Sequence, residues 1–114
     1  MTIIKINYNN DYILGFEANG HTGYAPQGQD ILCASISSIM QTAVLGLMQV
    51  INLKVNYKTD EKKGKIHLLV EEKNFETQAF KDGQVILKTM VCGIKDVASE
   101  FKKYIKVEEI RDVY

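Results

Sequence analysis

The chain's 114 residues, 46% of them hydrophobic, make a single domain (1–114) able to bury a real core without staples. Lysine plus arginine balance aspartate plus glutamate at 14 each, and zero net charge argues against a protein that lives on phosphate backbones. Two cysteines do not make a disulfide scaffold, no stretch reads as a membrane span, and no basic-then-apolar leader opens the chain, so the cytoplasm is the expected compartment.

Ile3 to Tyr8 and Tyr12 to Ala18 are short β-prone runs on either side of the turn-forming Asn9-Asn10-Asp11, which predicts a hairpin. A loop from Gly20 to Gln29 follows, holding Gly20, Gly23, Gly28, His21 and the only proline. Loops this long in a compact domain are usually functional or mobile. Asp30 is a good N-cap, and the apolar run from Ile31 to Leu53 reads as a helix. Leu32, Ile36, Ile39, Met40, Ala43, Leu47, Val50 and Ile51 surround nearly its whole circumference. Such a helix needs cover on one side from a sheet and on another from a second helix or a second subunit. Val55–Thr59 and Lys65–Glu71 predict a second hairpin through Asp60-Glu61-Lys62-Lys63-Gly64. From about Glu76 to Lys103 a second helix carries a three-four seam of Phe80, Gly83, Leu87, Met90, Ile94, Val97, Phe101 and Tyr104. Ile105-Lys106-Val107 reads as a last strand. The order ββαββαβ predicts an α+β domain, with two long helices packed on a largely antiparallel sheet.

Chemistry concentrates where the glycine-rich loop meets the first helix. Cys33 falls three residues after Asp30, in the first turn, where the helix dipole and free N–H groups favour a thiolate. It reads as a nucleophile or as the small buried hydrophobe that most free cysteines are. His21 is the one histidine near it in the chain and is placed to act as its base, and Gly20 permits close approach of a substrate. The alternative is a loop histidine without a role. Asp30 reads first as a cap and second as a group that orients His21 as a triad member would. Ser37, four residues after Cys33, shares its helical face and bonds the thiolate or a substrate, or else simply allows close packing. Ser35 and Ser38 point elsewhere. His67, alternating with Ile66 and Leu68, reads as a solvated strand residue, and Cys92, opposite the apolar seam, as structural or as a bystander on a second interface. Two His and two Cys lack the paired spacings of a zinc site, so neither metal nor cofactor is expected. The charge runs Asp60-Glu61-Lys62-Lys63 and Glu71-Glu72-Lys73 read as ordinary solvated turns.

The pattern Gly20-His21, then Gly28-x-Asp30-x-x-Cys33-Ala34-x-x-Ser37, resembles the ribosomal-processing cysteine protease (Prp) family. The resemblance extends to chain length, to the apolar helix after the cysteine and to Phe101-Lys102-Lys103-Tyr104-Ile105, so it covers essentially the whole chain. Thr22 and Ser35 depart from it, standing where alanine or another small residue is common, at positions expected not to touch the dyad. The resemblance implies a cytoplasmic homodimer that removes the N-terminal extension of large ribosomal subunit protein twenty-seven and so supports ribosome assembly. It implies Cys33 as nucleophile and His21 as general base, with Asp30 and Ser37 in supporting positions and the Gly20–Gln29 loop closing over an extended substrate. Backbone N–H groups at the helix start are the expected donors to the oxyanion.

Two readings of other classes use the same residues. A non-catalytic dimeric ribosome-assembly or peptide-binding module would keep its function in Cys33→Ala. A thiol-redox or acyl-transfer protein would use the same Cys33; a redox role would want a resolving cysteine close by, and the chain has none. Direct nucleic-acid binding is disfavoured by the absence of a basic-aromatic stripe.

Overall fold

Thr2, Ile4, Ile6 and Tyr8 alternate with more exposed neighbours, and that period of two makes β1 (Thr2–Asn9) a strand with one buried face. It turns through Asn10, in the left-handed region at φ 53°, into antiparallel β2 (Tyr12–Asn19). In the computed structural model, which describes residues 1–26, 29–71 and 74–111, β1 and β2 are followed by helix α1 (Ile31–Leu45) and a π-helical turn (Gly46–Val50). Then come β3 (Val55–Asp60), β4 (Lys65–Val70), α2 (Gln78–Glu100) and β5 (Ile105–Ile110). The five strands form one sheet in the order β3-β4-β2-β1-β5, antiparallel throughout except for the β1–β5 pair. The predicted ββαββαβ architecture is therefore the observed one.

The core lies between the buried sheet face and both helices. Ile4, Ile6, Phe16, Leu68 and Ile105 from the strands meet Leu32, Ile36, Met40 and Leu47 from the first helical segment and Phe80, Leu87 and Ile94 from α2. A shift of register at Asn7/Tyr8 pairs Asn7 with Gly15 and Tyr8 with Ile13, which leaves Leu14 as an extra residue in β2. The backbone of Ile13 then bonds a side chain instead of a strand. Gln84 of α2, buried, accepts from the Ile13 N–H at 2.7 Å and donates to the Ile13 carbonyl at 2.9 Å.

Three expectations need correction. The first helix stops short of Leu53: the Ile51 N–H reaches back five residues to the Gly46 carbonyl, and Asn52 turns left-handed at φ 54°. Leu53 is buried after the turn, against Gly83, where a Cβ would come within 2.8 Å of Leu53 Cδ2. The second helix ends at Glu100, so Phe101 and Tyr104 leave the seam for another task described below. Finally, the 20 residues Ile31–Val50 are long and apolar enough to cross a membrane by length and composition. In this fold, Leu32, Ile36, Met40, Ala43, Val44 and Leu47 of that run are buried in the domain core.

Candidate active site

Asp30 organises the junction of loop and helix. Its Oδ1 accepts from the N–H groups of Leu32 (3.0 Å) and Cys33 (2.9 Å), which makes it the predicted N-cap. Its Oδ2 faces the loop, accepting from the Thr22 hydroxyl at 2.5 Å and from the N–H groups of Tyr24 (3.2 Å) and Ala25 (3.4 Å). Burial pushes this carboxyl up, but the hydrogen bonds from Thr22, Cys33 and Ala25 outweigh burial and hold it at about 2. Asp30 is thus a charged hub joining loop to helix, and His21 is not among its partners.

Cys33, half-buried in the first turn of α1, has its Sγ 3.3 Å from the Thr22 N–H and 3.6 Å from Thr22 Oγ1. Thr22 itself is 2% exposed. The expectation that Thr22 stays clear of the reactive pair is therefore wrong for Cys33: Thr22 is its nearest polar neighbour on the loop. The helix-start N–H groups proposed for an oxyanion are also engaged, those of Leu32 and Cys33 by the Asp30 carboxylate and that of Ala34 by the Asp30 carbonyl.

His21 is exposed, and its Nε2 lies 3.1 Å from the Lys62 carbonyl in the β3–β4 turn. A carbonyl only accepts, so Nε2 carries the hydrogen and Nδ1 is left as the basic nitrogen. Gly20, at φ 88°, sets the loop's departure from β2, and its carbonyl accepts from the Thr2 hydroxyl at 2.9 Å. Gly64, at φ 60°, brings the hairpin turn against this segment; a Cβ there would sit 2.9 Å from the Gly20 oxygen and 3.1 Å from His21 Cε1. The Asp60–Lys63 charge run is therefore more than a solvated turn, since its backbone holds the histidine ring. Gly23, at φ 76°, follows Thr22, and Gly28 lies outside the described residues.

His21, Asp30, Cys33 and Ser37 all line one cleft of about 460 Å³, as does Gly20. Its opposite wall comes from the second hairpin: Tyr57, Thr59, Glu61, Lys65 and Ile66. No local pattern marked these wall residues, because the pairing of β4 with β2 is what brings the hairpin beside the loop. The loop is anchored on the far side by Tyr24, whose ring packs edge-on against Tyr104 (5.3 Å) and Phe101 (6.1 Å). Cys92 is exposed on α2, and His67 sits between Glu17 and Lys58 on the outer sheet face, half-buried.

A half-buried thiol at a capped helix start and a histidine thus line one cleft. The family model "Cysteine protease Prp" matches residues 1–106. This chain belongs to the Prp cysteine protease family. Among its relatives, the ribosomal processing cysteine protease Prp of Bacillus subtilis is 23% identical over 95 residues, spanning 83% of this chain and 84% of the relative. The protein of the same name from Staphylococcus aureus is 22% identical over 89 residues, 78% of this chain and 79% of the other. In fold, the chain is similar to the crystal structure of the S. aureus ribosomal processing protease Prp in complex with a covalently linked product peptide. That match has a TM-score of 0.84 at 21% identity and covers 96% of this chain and 99% of that one. The same enzyme in complex with a substrate peptide matches with a TM-score of 0.79 at 19% identity, over 96% and 99% of the two chains.

Proposed function

We propose that this Prp-family chain is a cytoplasmic cysteine endopeptidase that removes the N-terminal extension of large ribosomal subunit protein twenty-seven, with Cys33 as nucleophile and His21 as general base. The observation that carries the reading is the shared cleft: the thiol at the start of α1 and the histidine of the loop line it together. His21 Nδ1 takes the Cys33 proton, and the thiolate attacks the scissile carbonyl to form a C–S bond and an oxyanion. The C–N bond then breaks, and the amine leaves with the proton that His21 holds. Water attacks the thioester and gives its proton to His21, the C–S bond breaks, and the proton returns to sulfur. Asp30 holds loop and helix together during these steps, and Ser37 lies on the same wall of the cleft, one turn beyond Cys33. The loop carrying Gly20, Gly23 and Gly28 covers an extended peptide lying along the β3–β4 hairpin.

The working unit in this reading is a homodimer. Ile39, Ala43 and Gly46 of the first helical segment and Val85, Ile86 and Met90 of α2 line an apolar groove on the side away from the sheet. Val85 is 67% exposed there, and a second copy is the occupant that the all-round apolar first helix asks for.

The test is cleavage of a peptide spanning the extension junction of the host's own ribosomal protein, read by mass spectrometry for wild type, Cys33→Ala and His21→Ala. One cut at the junction, lost in both variants, is the expected result. An intact peptide that nevertheless binds all three proteins would overturn the protease reading in favour of a peptide-binding module.

A further inference from the structure

The hydroxyl of Thr22 is buried, and the dyad chemistry above gives it no task. It donates to Asp30 Oδ2 at 2.5 Å, accepts from the Tyr24 N–H at 3.3 Å, and lies 3.6 Å from Cys33 Sγ. The backbone N–H of the same residue belongs to the peptide bond that joins it to His21, and it donates to that sulfur at 3.3 Å. One residue thus touches the helix cap with its side chain and the thiol with its backbone, while its chain neighbour is the histidine.

We propose that Thr22 is a positioning residue for Cys33: its hydroxyl, tied to Asp30, holds the His21–Thr22 peptide N–H on the sulfur and so favours the thiolate. The inference rests on Cys33 being the nucleophile. The two Thr22 contacts to sulfur act in opposite directions, and the Asp30 carboxylate, which also accepts from the Cys33 side chain, favours the thiol. An N–H stabilises the thiolate, whereas the hydroxyl oxygen, its hydrogen committed to Asp30, accepts from the thiol. The N–H contact, at 3.3 Å against 3.6 Å, is the shorter of the two Thr22 contacts, so it governs. Among the described residues, the titratable groups lining the cleft with Cys33 are His21, Asp30, Tyr57, Glu61 and Lys65. Asp30, held at about 2, stays ionised across the range in which a thiol and an imidazole titrate. A change in Cys33 reactivity with pH in a Thr22 variant therefore reports on the sulfur and its histidine neighbour.

The experiment is the pH profile of iodoacetamide alkylation at Cys33, resolved by peptide mass spectrometry so that exposed Cys92 does not contribute. Wild type is compared with Thr22→Val, which loses only the hydroxyl, and with Thr22→Ser, which restores it. The expected result is a midpoint about one pH unit higher in Thr22→Val, with reactivity at pH 7 down about tenfold, and a wild-type profile in Thr22→Ser. A folded Thr22→Val with an unchanged midpoint overturns the proposal. So does a lowered midpoint, which would mean that the oxygen contact governs. If Thr22→Val does not fold, Thr22→Ala, which also removes the hydroxyl and is smaller, is read the same way. Alkylation needs no substrate, so failure of peptide cleavage would overturn the protease reading and leave this test intact.

Discussion

Replacing Asp30 by asparagine separates the charge of the hub from its shape. Asparagine keeps an oxygen for the Leu32 and Cys33 N–H groups but turns an NH2 toward the Thr22 hydroxyl and the N–H groups of Tyr24 and Ala25, which now face Oδ2. A carboxyl lowered from 3.8 to about 2 on folding contributes about 2 kcal/mol at neutral pH. The Asp30→Asn protein should therefore melt roughly 8 °C lower at pH 7. The folded carboxyl titrates below the unfolded one, so this contribution is complete above the unfolded value of 3.8 and is lost as pH falls toward the folded value near 2. Thermal or urea unfolding followed by circular dichroism between pH 6 and pH 2 should show the two proteins converging over the lower half of that range. Glu109, whose carboxyl Lys95 and Arg111 also hold below the ordinary range, titrates in both proteins and cancels in the difference. Curves that stay parallel from pH 6 to pH 2 would refute the claim that the Asp30 charge joins loop to helix.

Other substitutions test the frame around the site. Gln84→Leu keeps the volume of a buried side chain but strands the N–H and carbonyl of Ile13 at the β2 bulge. It should cost roughly 2–4 kcal/mol in urea unfolding, with the alkylation profile of Cys33 unchanged. Val85→Glu puts a charge in the apolar groove between the helices, which shares no lining residue with the cleft. Sedimentation should show a dimer for wild type at micromolar concentration and a monomer for the variant. A wild-type monomer would remove the second copy from the functional reading.

Much of the site was legible because its chemistry is local. Asp30, Cys33 and Ser37 lie within two turns of one helix, and a cap followed by a thiol three residues later is a statement about backbone N–H groups that needs no tertiary contact. Thr22 escaped because its importance depends on the loop folding back, which brings its N–H over the sulfur and its hydroxyl to the cap. The hairpin wall escaped for the same reason at longer range. Lys62 holds the His21 ring from 41 residues away through a backbone carbonyl, a group that carries no sequence signature at all.

Period-two alternation in β1 and β4, the turn residues between strands and the cap at Asp30 determined the element order and the buried face of each element. Helix ends were another matter. An apolar run continues through Leu53, yet the helix stops before it, because Leu53 gains more by packing against Gly83 than by extending a helix into solvent. Phe101 and Tyr104 keep helical spacing with the seam but leave the helix to receive Tyr24 of the loop. Local periodicity says which side of an element is apolar. Only tertiary packing decides what that side meets, and therefore which backbone carbonyl holds the histidine and which backbone N–H reaches the sulfur.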